Sequence, residues 1–369
     1  MKKKFLKNID WWILICSILL LLIGLVALFS ATYENGLSEF KKQIIWFIIS
    51  IPIIFIVMLI DYDILARYSW IFYWIFIILL IAVLFTSPIN GATSWFEISS
   101  GLKFQPSEFA KIVVIFFIAA VMVRIQKNSR NDINRFSKML LIIAAIGLPL
   151  FLIVIQPDYG TAMAFIVAVS MMLFVAGLDK KYIFIALLLI VISLPILYFF
   201  VLPEHAKTRI HVYLNPNIDP RGSGYNVIQS KLAIGAGQLF GMGILKGNQT
   251  QLGYLYPKTT DFIFSVIGEE FGFIVSSTVI VIYVILISRS IYIAKTAKND
   301  LGSYIAIGIA GIFMFHMIEN IGMTMGLLPI TGVPLPFVSY GGSSLVTNFM
   351  CIAVLLNISG LRKKAFYVA

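Results

Sequence analysis

Charge is scarce in this chain. Of its 369 residues only 12% are Asp, Glu, Lys or Arg, against 60% apolar residues and a mean hydropathy of +0.96. A soluble domain carries about a quarter charged and about 45–50% apolar residues. The deficit excludes a single water-soluble core, because apolar side chains at this density cannot all be hidden from water. Lipid must solvate much of the surface. Cysteine is nearly absent: Cys16 and Cys351 both fall in apolar runs, which excludes a disulfide framework and fits small buried hydrophobes. Histidine is as sparse, and His205, His211 and His316 are not at metal-ligand spacing, which argues against a zinc site. The net charge of +11 would point to nucleic acid in a soluble protein. Here membrane topology explains it, and no nucleic-acid partner is implied.

Long apolar runs are what the chain has instead. A membrane-spanning helix needs about 20 mainly apolar residues. Ten such runs lie near 11–31, 43–60, 68–86, 106–124, 139–156, 160–177, 182–202, 263–288, 302–328 and 344–360. The expected fold is all-α: one polytopic transmembrane domain over residues 1–369, with a long external loop at about 203–262. Lys and Arg set the orientation. With the N-terminus inside, eighteen of them fall on the cytoplasmic side and three (Lys41, Lys42 and Lys103) in short external loops. An even number of spans then places both termini in the cytoplasm. The Lys-rich start could introduce a signal peptide, but the apolar run after it is full length, and it reads as a retained first helix.

The long loop contains an apolar, Gly-punctuated piece, Asn226 to Gly247, which reads as a re-entrant or interfacial helix. Within it, GAGQLFGMG lacks the Lys-Ser/Thr ending and the βαβ surroundings of a phosphate loop. Its glycines more simply permit close backbone approach.

An ionisable residue at a helix centre costs about 2.5–3.5 kcal/mol on insertion scales, so each one needs a reason. Glu108 and Lys111, in QPSEFAK, sit one turn apart at the start of the fourth span, with Pro106 suited to its first turn. They are either a self-neutralising ion pair that packs helices or a headgroup-binding pair. Asp261 opens the eighth span after Lys258, Thr259 and Thr260. Alone it reads first as a helix cap. Glu269 and Glu270, about two turns deeper, read as partners within the bundle. Asp158 in QPDYGTA reads as a turn residue. The stretch from Leu328 to Ser344 is stiffened by three prolines and offers hydrogen bonds from Ser339 and Tyr340.

Five segments in this order, QPSEFAK, QPDYGTA, GYNVIQSKLAIGAG, TDFIFSVIGEEFGF and GVPLPFVSYGGSS, resemble the SEDS family of bacterial cell-wall proteins over almost the whole chain. YNVIQSK and the opening IDWW resemble the RodA branch rather than FtsW or SpoVE. The resemblance implies a peptidoglycan glycosyltransferase that polymerises lipid II on the outer face of the bacterial cytoplasmic membrane during elongation and shape maintenance. It also implies a class B penicillin-binding protein as transpeptidase partner. The family's essential external aspartate matches Asp261, and its acidic and basic pair in the fourth span matches Glu108 and Lys111. The family's PExHTDF is here Tyr256-Pro257-Lys258-Thr259-Thr260-Asp261-Phe262, so no role for its Glu and His carries over. GAGQ replaces its usual GSGG.

Lipid II carries its sugar in α linkage to pyrophosphate, and the polymer is β-1,4. One inverting displacement suffices, and it needs a base for the attacking hydroxyl. Asp261 is the candidate. Lys111, Arg209, Lys231 or a divalent cation are candidates for stabilising pyrophosphate charge, and Lys258, Ser339 and Tyr340 for loop contacts. Two other readings use the same residues differently: a lipid II flippase, and a non-catalytic scaffold for the penicillin-binding protein.

Overall fold

A computed structural model describes residues 8–87, 93–99, 102–201, 204–219 and 222–362. Ten long helices lie where the apolar runs predict them. They are α1 (Trp11–Thr32), α2 (Ser38–Leu59), α3 (Tyr62–Val83), α4 (Pro106–Ile125), α5 (Phe136–Ile155), α6 (Tyr159–Ala176), α7 (Lys180–Ile196), α11 (Ile263–Thr296), α12 (Asp300–Thr324) and α13 (Gly342–Leu361). The long loop adds α8 (Glu204–Leu214), α9 (Ser223–Ala236) and the single turn α10 (Asn248–Gln251). A short antiparallel hairpin, β1 (Phe96–Ser99) and β2 (Leu102–Phe104), precedes α4. Six of the eighteen cytoplasmic charges, Lys2, Lys3, Lys4, Lys7, Lys363 and Lys364, lie outside the described residues.

Eight of the ten are long and apolar enough to cross a membrane by length and composition alone. The other two differ for visible reasons. α4 carries Glu108, Lys111 and Arg124, and α7 has 17 α-helical residues, continued by a wider turn over Leu197–Val201. Several helices outrun their apolar stretch. α3 begins six residues earlier than hydropathy predicts, because the Asp61 side chain accepts from the Asp63 amide and caps a polar first turn. α11 runs two turns further than predicted and carries Arg289 and Lys295 beyond the apolar part.

Burial is arranged for lipid. α2 buries Gln43, Ser50 and Ile54 and turns Ile48, Phe55, Ile56 and Leu59 outwards. α12 and α13 are almost wholly buried at the centre, flanked by α6 and α11 and by α2 respectively. α9 descends beside α11. Its Ser230 hydroxyl meets that of Ser265 at 2.6 Å and donates to Thr324 O at 2.6 Å.

α11 is broken at Gly272, whose φ of 73° lies in the left-handed region. The segment following α9 fills the break. Met242 N donates to Glu269 O (2.9 Å), Gly243 N to Glu270 O (3.0 Å), Phe273 N to Gln238 O (2.8 Å) and Ile274 N to Leu239 O (3.2 Å). Irregular backbone at membrane depth is tolerated only when its polar groups are satisfied this way. A methyl group at Gly237 would stand 1.8 Å from Gly268 O, and one at Gly241 2.2 Å from Glu270 O. Two glycines of GAGQLFGMG, Gly237 and Gly241, thus serve the close backbone approach expected of the stretch, whereas a methyl group at Gly235 would meet open space.

Candidate functional site

At the end of the bundle where α11 and α13 begin and α12 ends, two loops are tied together. Tyr340 N donates to Thr259 O at 2.9 Å. The Ser339 hydroxyl donates to Thr260 O at 2.7 Å and accepts from Leu335 N at 2.8 Å. Gln43 of α2 donates to Ser339 O at 3.0 Å and accepts from Gly341 N at 3.2 Å. Asp261 sits on this tied loop.

The cap reading of Asp261 fails. Phe262 holds the N-cap position of α11, and no side chain caps that helix. Asp261 is half-buried and lies beside Gly332, where a methyl group would stand 3.5 Å from Oδ2. Burial among protein atoms pushes its pKa up, opposed by a bond from the Thr260 side chain and by the charge of Arg209. A raised carboxyl is a better proton acceptor when ionised.

One helix away, Glu108 and Lys111 form the expected pair. Lys111 Nζ lies 2.8 Å from Glu108 Oε1, and both side chains are 2% exposed. Lys111 also lies 3.2 Å from His316 Nε2. Asp158 keeps the turn role expected of it. It caps α6 through Thr161 N at 3.1 Å and accepts from Gln105, the N-cap residue of α4, and from Ser107 in its first turn.

Residues 10–364 match the FtsW, RodA and SpoVE family, described as cell cycle proteins. The chain belongs to that family. It is 38% identical to the peptidoglycan glycosyltransferase MrdB of Escherichia coli (strain K12) over 79% of this chain and 77% of that protein. It is 37% identical to the stage V sporulation protein E of Bacillus subtilis (strain 168) over 95% and 96%. It overlays a structure titled for structural coordination of polymerization and crosslinking by a peptidoglycan synthase complex. The TM-score is 0.81 with 27% identity, covering 95% of this chain and 97% of that one. The rod shape determining protein RodA of Thermus thermophilus shares the fold at a TM-score of 0.72, with 24% identity over 96% and 98%.

In this SEDS chain the remaining predicted residues divide. Arg209 and Lys231 come together, lining a narrow cleft with Gly326, Leu328 and Pro329. Lys258 instead donates to Thr250 O at 2.6 Å, and burial holds its amine below the usual range. Ser339 spends its hydroxyl inside the protein, and Tyr340 is partly buried. Glu269 accepts from Gln249 N, Thr250 N and the Thr250 hydroxyl at 2.7–3.0 Å. Glu270 accepts from Ser30 and Gln251. Both brace α10, as partners within the bundle. Among the described residues no group of three or more His, Cys, Asp or Glu could hold a metal ion.

Sequence reasoning missed His316, Glu319 and Asn320 on α12. The signal was there: three polar residues at i, i+3 and i+4 in an otherwise apolar span, each costly unless paired.

Proposed function

We propose that this SEDS protein polymerises lipid II into β-1,4 glycan strands by direct inverting displacement, with Asp261 as general base. The single observation that carries the mechanism is the placement of Asp261: off the helix cap, partly open, raised by burial and set on a tied loop. The carboxylate takes the proton of the acceptor's 4-hydroxyl as that oxygen attacks the donor's anomeric carbon. The carbon–oxygen bond to pyrophosphate breaks on the opposite face, which converts α to β. Pyrophosphate leaves readily, so no second carboxylic acid is required.

Arg209 and Lys231, which line one cleft, are the proposed cations that meet its charge. A divalent cation remains a candidate for the same task, and it would take most of its oxygen ligands from the pyrophosphate. Asp261 then faces the outside of the bacterial cytoplasmic membrane and both termini face the cytoplasm, as the Lys and Arg distribution supports. A class B penicillin-binding protein is the proposed partner, and elongation with shape maintenance the proposed role. The relatives named for glycosyl transfer, rod shape and coordinated polymerization and crosslinking support both.

The test is polymerisation of lipid II by the purified protein in detergent, with and without the partner. Glycan formation there, with no bilayer to cross, favours the enzyme over a flippase or scaffold. Asp261→Asn should lose polymerisation while still binding the partner, and undiminished glycan synthesis by that variant sinks the assignment.

A further inference from the structure

α12 presents His316, Glu319 and Asn320 on one face, none more than 5% exposed. All three grip the same strap of chain, Thr331 to Pro334. His316 Nδ1 lies 3.0 Å from Pro334 O. Glu319 Oε1 accepts from the Thr331 hydroxyl at 2.8 Å. Asn320 Nδ2 donates to Val333 O at 2.8 Å and to Asp261 O at 3.0 Å. Gly332 lies within the strap, at φ +76°, against the Asp261 carboxylate. The strap is therefore the wall beside that carboxylate, and a single amide group joins wall and carboxylate loop.

The partners settle where the hydrogens lie. A carbonyl oxygen only accepts, so both Asn320 contacts need its NH₂ on that side. Its Oδ1 is buried with no partner among the described residues. By the same rule His316 Nδ1 carries the hydrogen that faces Pro334. Nε2 is then an acceptor, and the Lys111 ammonium, a donor only, fills it. Contacts run unbroken from Glu108 through Lys111 and His316 to the strap. Lys111 directs hydrogens at Glu108 and His316 from a site 2% exposed, which leaves the pair poorly placed to meet a substrate.

We propose that Asn320 is the positioning residue of the Asp261 site, that His316 is a second hold on its wall, and that the Glu108–Lys111 pair serves the reaction by orienting His316. The inference rests on Asp261 being the base. A base must stand within about 2.6–3.2 Å of the hydroxyl whose proton it takes. Residues 257–261 lie outside any helix, so only ties of this kind fix the carboxylate.

The full chain, with its partner where activity requires it, is compared as wild type, Asn320→Ala, His316→Asn and His316→Gln. A lipid II polymerisation assay separates kcat from KM. An Asn amide nitrogen falls where imidazole Nδ1 does, so His316→Asn keeps the hold on Pro334. A Gln amide falls at Nε2 and loses it. Asn320→Ala should lower kcat by about 10²-fold, the cost of misplacing a reacting group by about 1 Å. Its KM should stay within about two-fold, since ground-state binding is untouched. His316→Gln should follow Asn320→Ala, and His316→Asn should keep most activity. Hydrogen exchange over 257–262 and 331–335 reads the clamp without chemistry and should rise in both stretches of Asn320→Ala.

Wild-type kcat or unaltered exchange in Asn320→Ala overturns the proposal. Equal losses in the two His316 variants also overturn it, since a space-filling histidine would behave that way. If Asn320→Ala does not fold, the His316 pair still decides. Failure of the base assignment looks different: Asp261→Asn would keep polymerising while exchange in Asn320→Ala still rose. That result would overturn the positioning role together with the base.

Discussion

Glu108 and Asp261 are both acidic residues close to a helix start at the same end of the bundle, yet their surroundings are opposite. Glu108 is 2% exposed, faces an ammonium at 2.8 Å and lies inside α4. Asp261 is partly exposed, lies outside its helix and faces a glycine. Glu108 is committed through Oε1 to a dedicated cation inside the bundle, which suits it to structure. A carboxylate raised by burial, with access to the surface, suits proton transfer. The comparison teaches that a carboxylate in direct contact with a buried ammonium belongs to the frame, whereas one without such an ion pair at its side suits the chemistry proposed for Asp261.

The sharpest way to break the comparison is Asp261→Asn. Polymerisation should fall by about 10²–10⁴-fold, the range for loss of a general base. The thermal midpoint should hold or rise slightly. A carboxyl whose folded pKa is raised opposes folding once ionised, so removing it does no harm to stability near neutral pH. A lowered midpoint in a melting scan would make Asp261 structural after all.

Lys111→Met should behave in the opposite sense. It leaves Glu108 buried without its cation, at a cost of about 3–5 kcal/mol. Melting or denaturant titration in detergent should show that loss. Replacing Glu108 and Lys111 together by apolar residues of similar volume should recover most of the stability. Activity should stay low in the double variant, because the His316 ring, without its donor at Nε2, is free to turn away from Pro334.

A smaller effect sharpens the Asp261 side. Its raised pKa means that protonation begins at a higher pH than for a free aspartate, whose pKa is about 3.9. The rate should therefore fall with acidification from above the ordinary carboxylate range. An acid limb at or below that of a free aspartate would contradict the burial argument. The smallest effect concerns the exposed Lys103–Glu97 pair of the hairpin, at 3.4 Å. Lys103→Ala should leave stability and polymerisation unchanged within error, since exposed pairs contribute about 0–1 kcal/mol.

Much of the molecule was legible in the residues. Ten apolar runs gave ten long helices, with boundaries off by up to eight residues where a capped polar turn such as that at Asp61, or a charged end such as that of α11, extends a helix. The i, i+3 spacing of Glu108 and Lys111 put them on one face and left an ion pair and a headgroup site both open, and the fold shows the ion pair; the close backbone approach read from GAGQLFGMG holds at Gly237 and Gly241. The helix-cap reading of Asp261 was wrong because cap preference is local, while the loop ties through Ser339, Tyr340 and Asn320 come from 59–81 residues away. His316 looked isolated in the chain for the same reason. Its partners, Lys111 and Pro334, lie on a different helix and on a loop.

What the sequence determined alone is the membrane solvent, the number of long apolar helices and the scarcity of charge that makes each buried ionisable residue informative. These follow from composition and period, which need no knowledge of neighbours. Only the tertiary structure decided which carboxylate is paired and which is available. That depends on which atoms lie within about 3 Å, and helix packing brings those atoms together from distant parts of the chain.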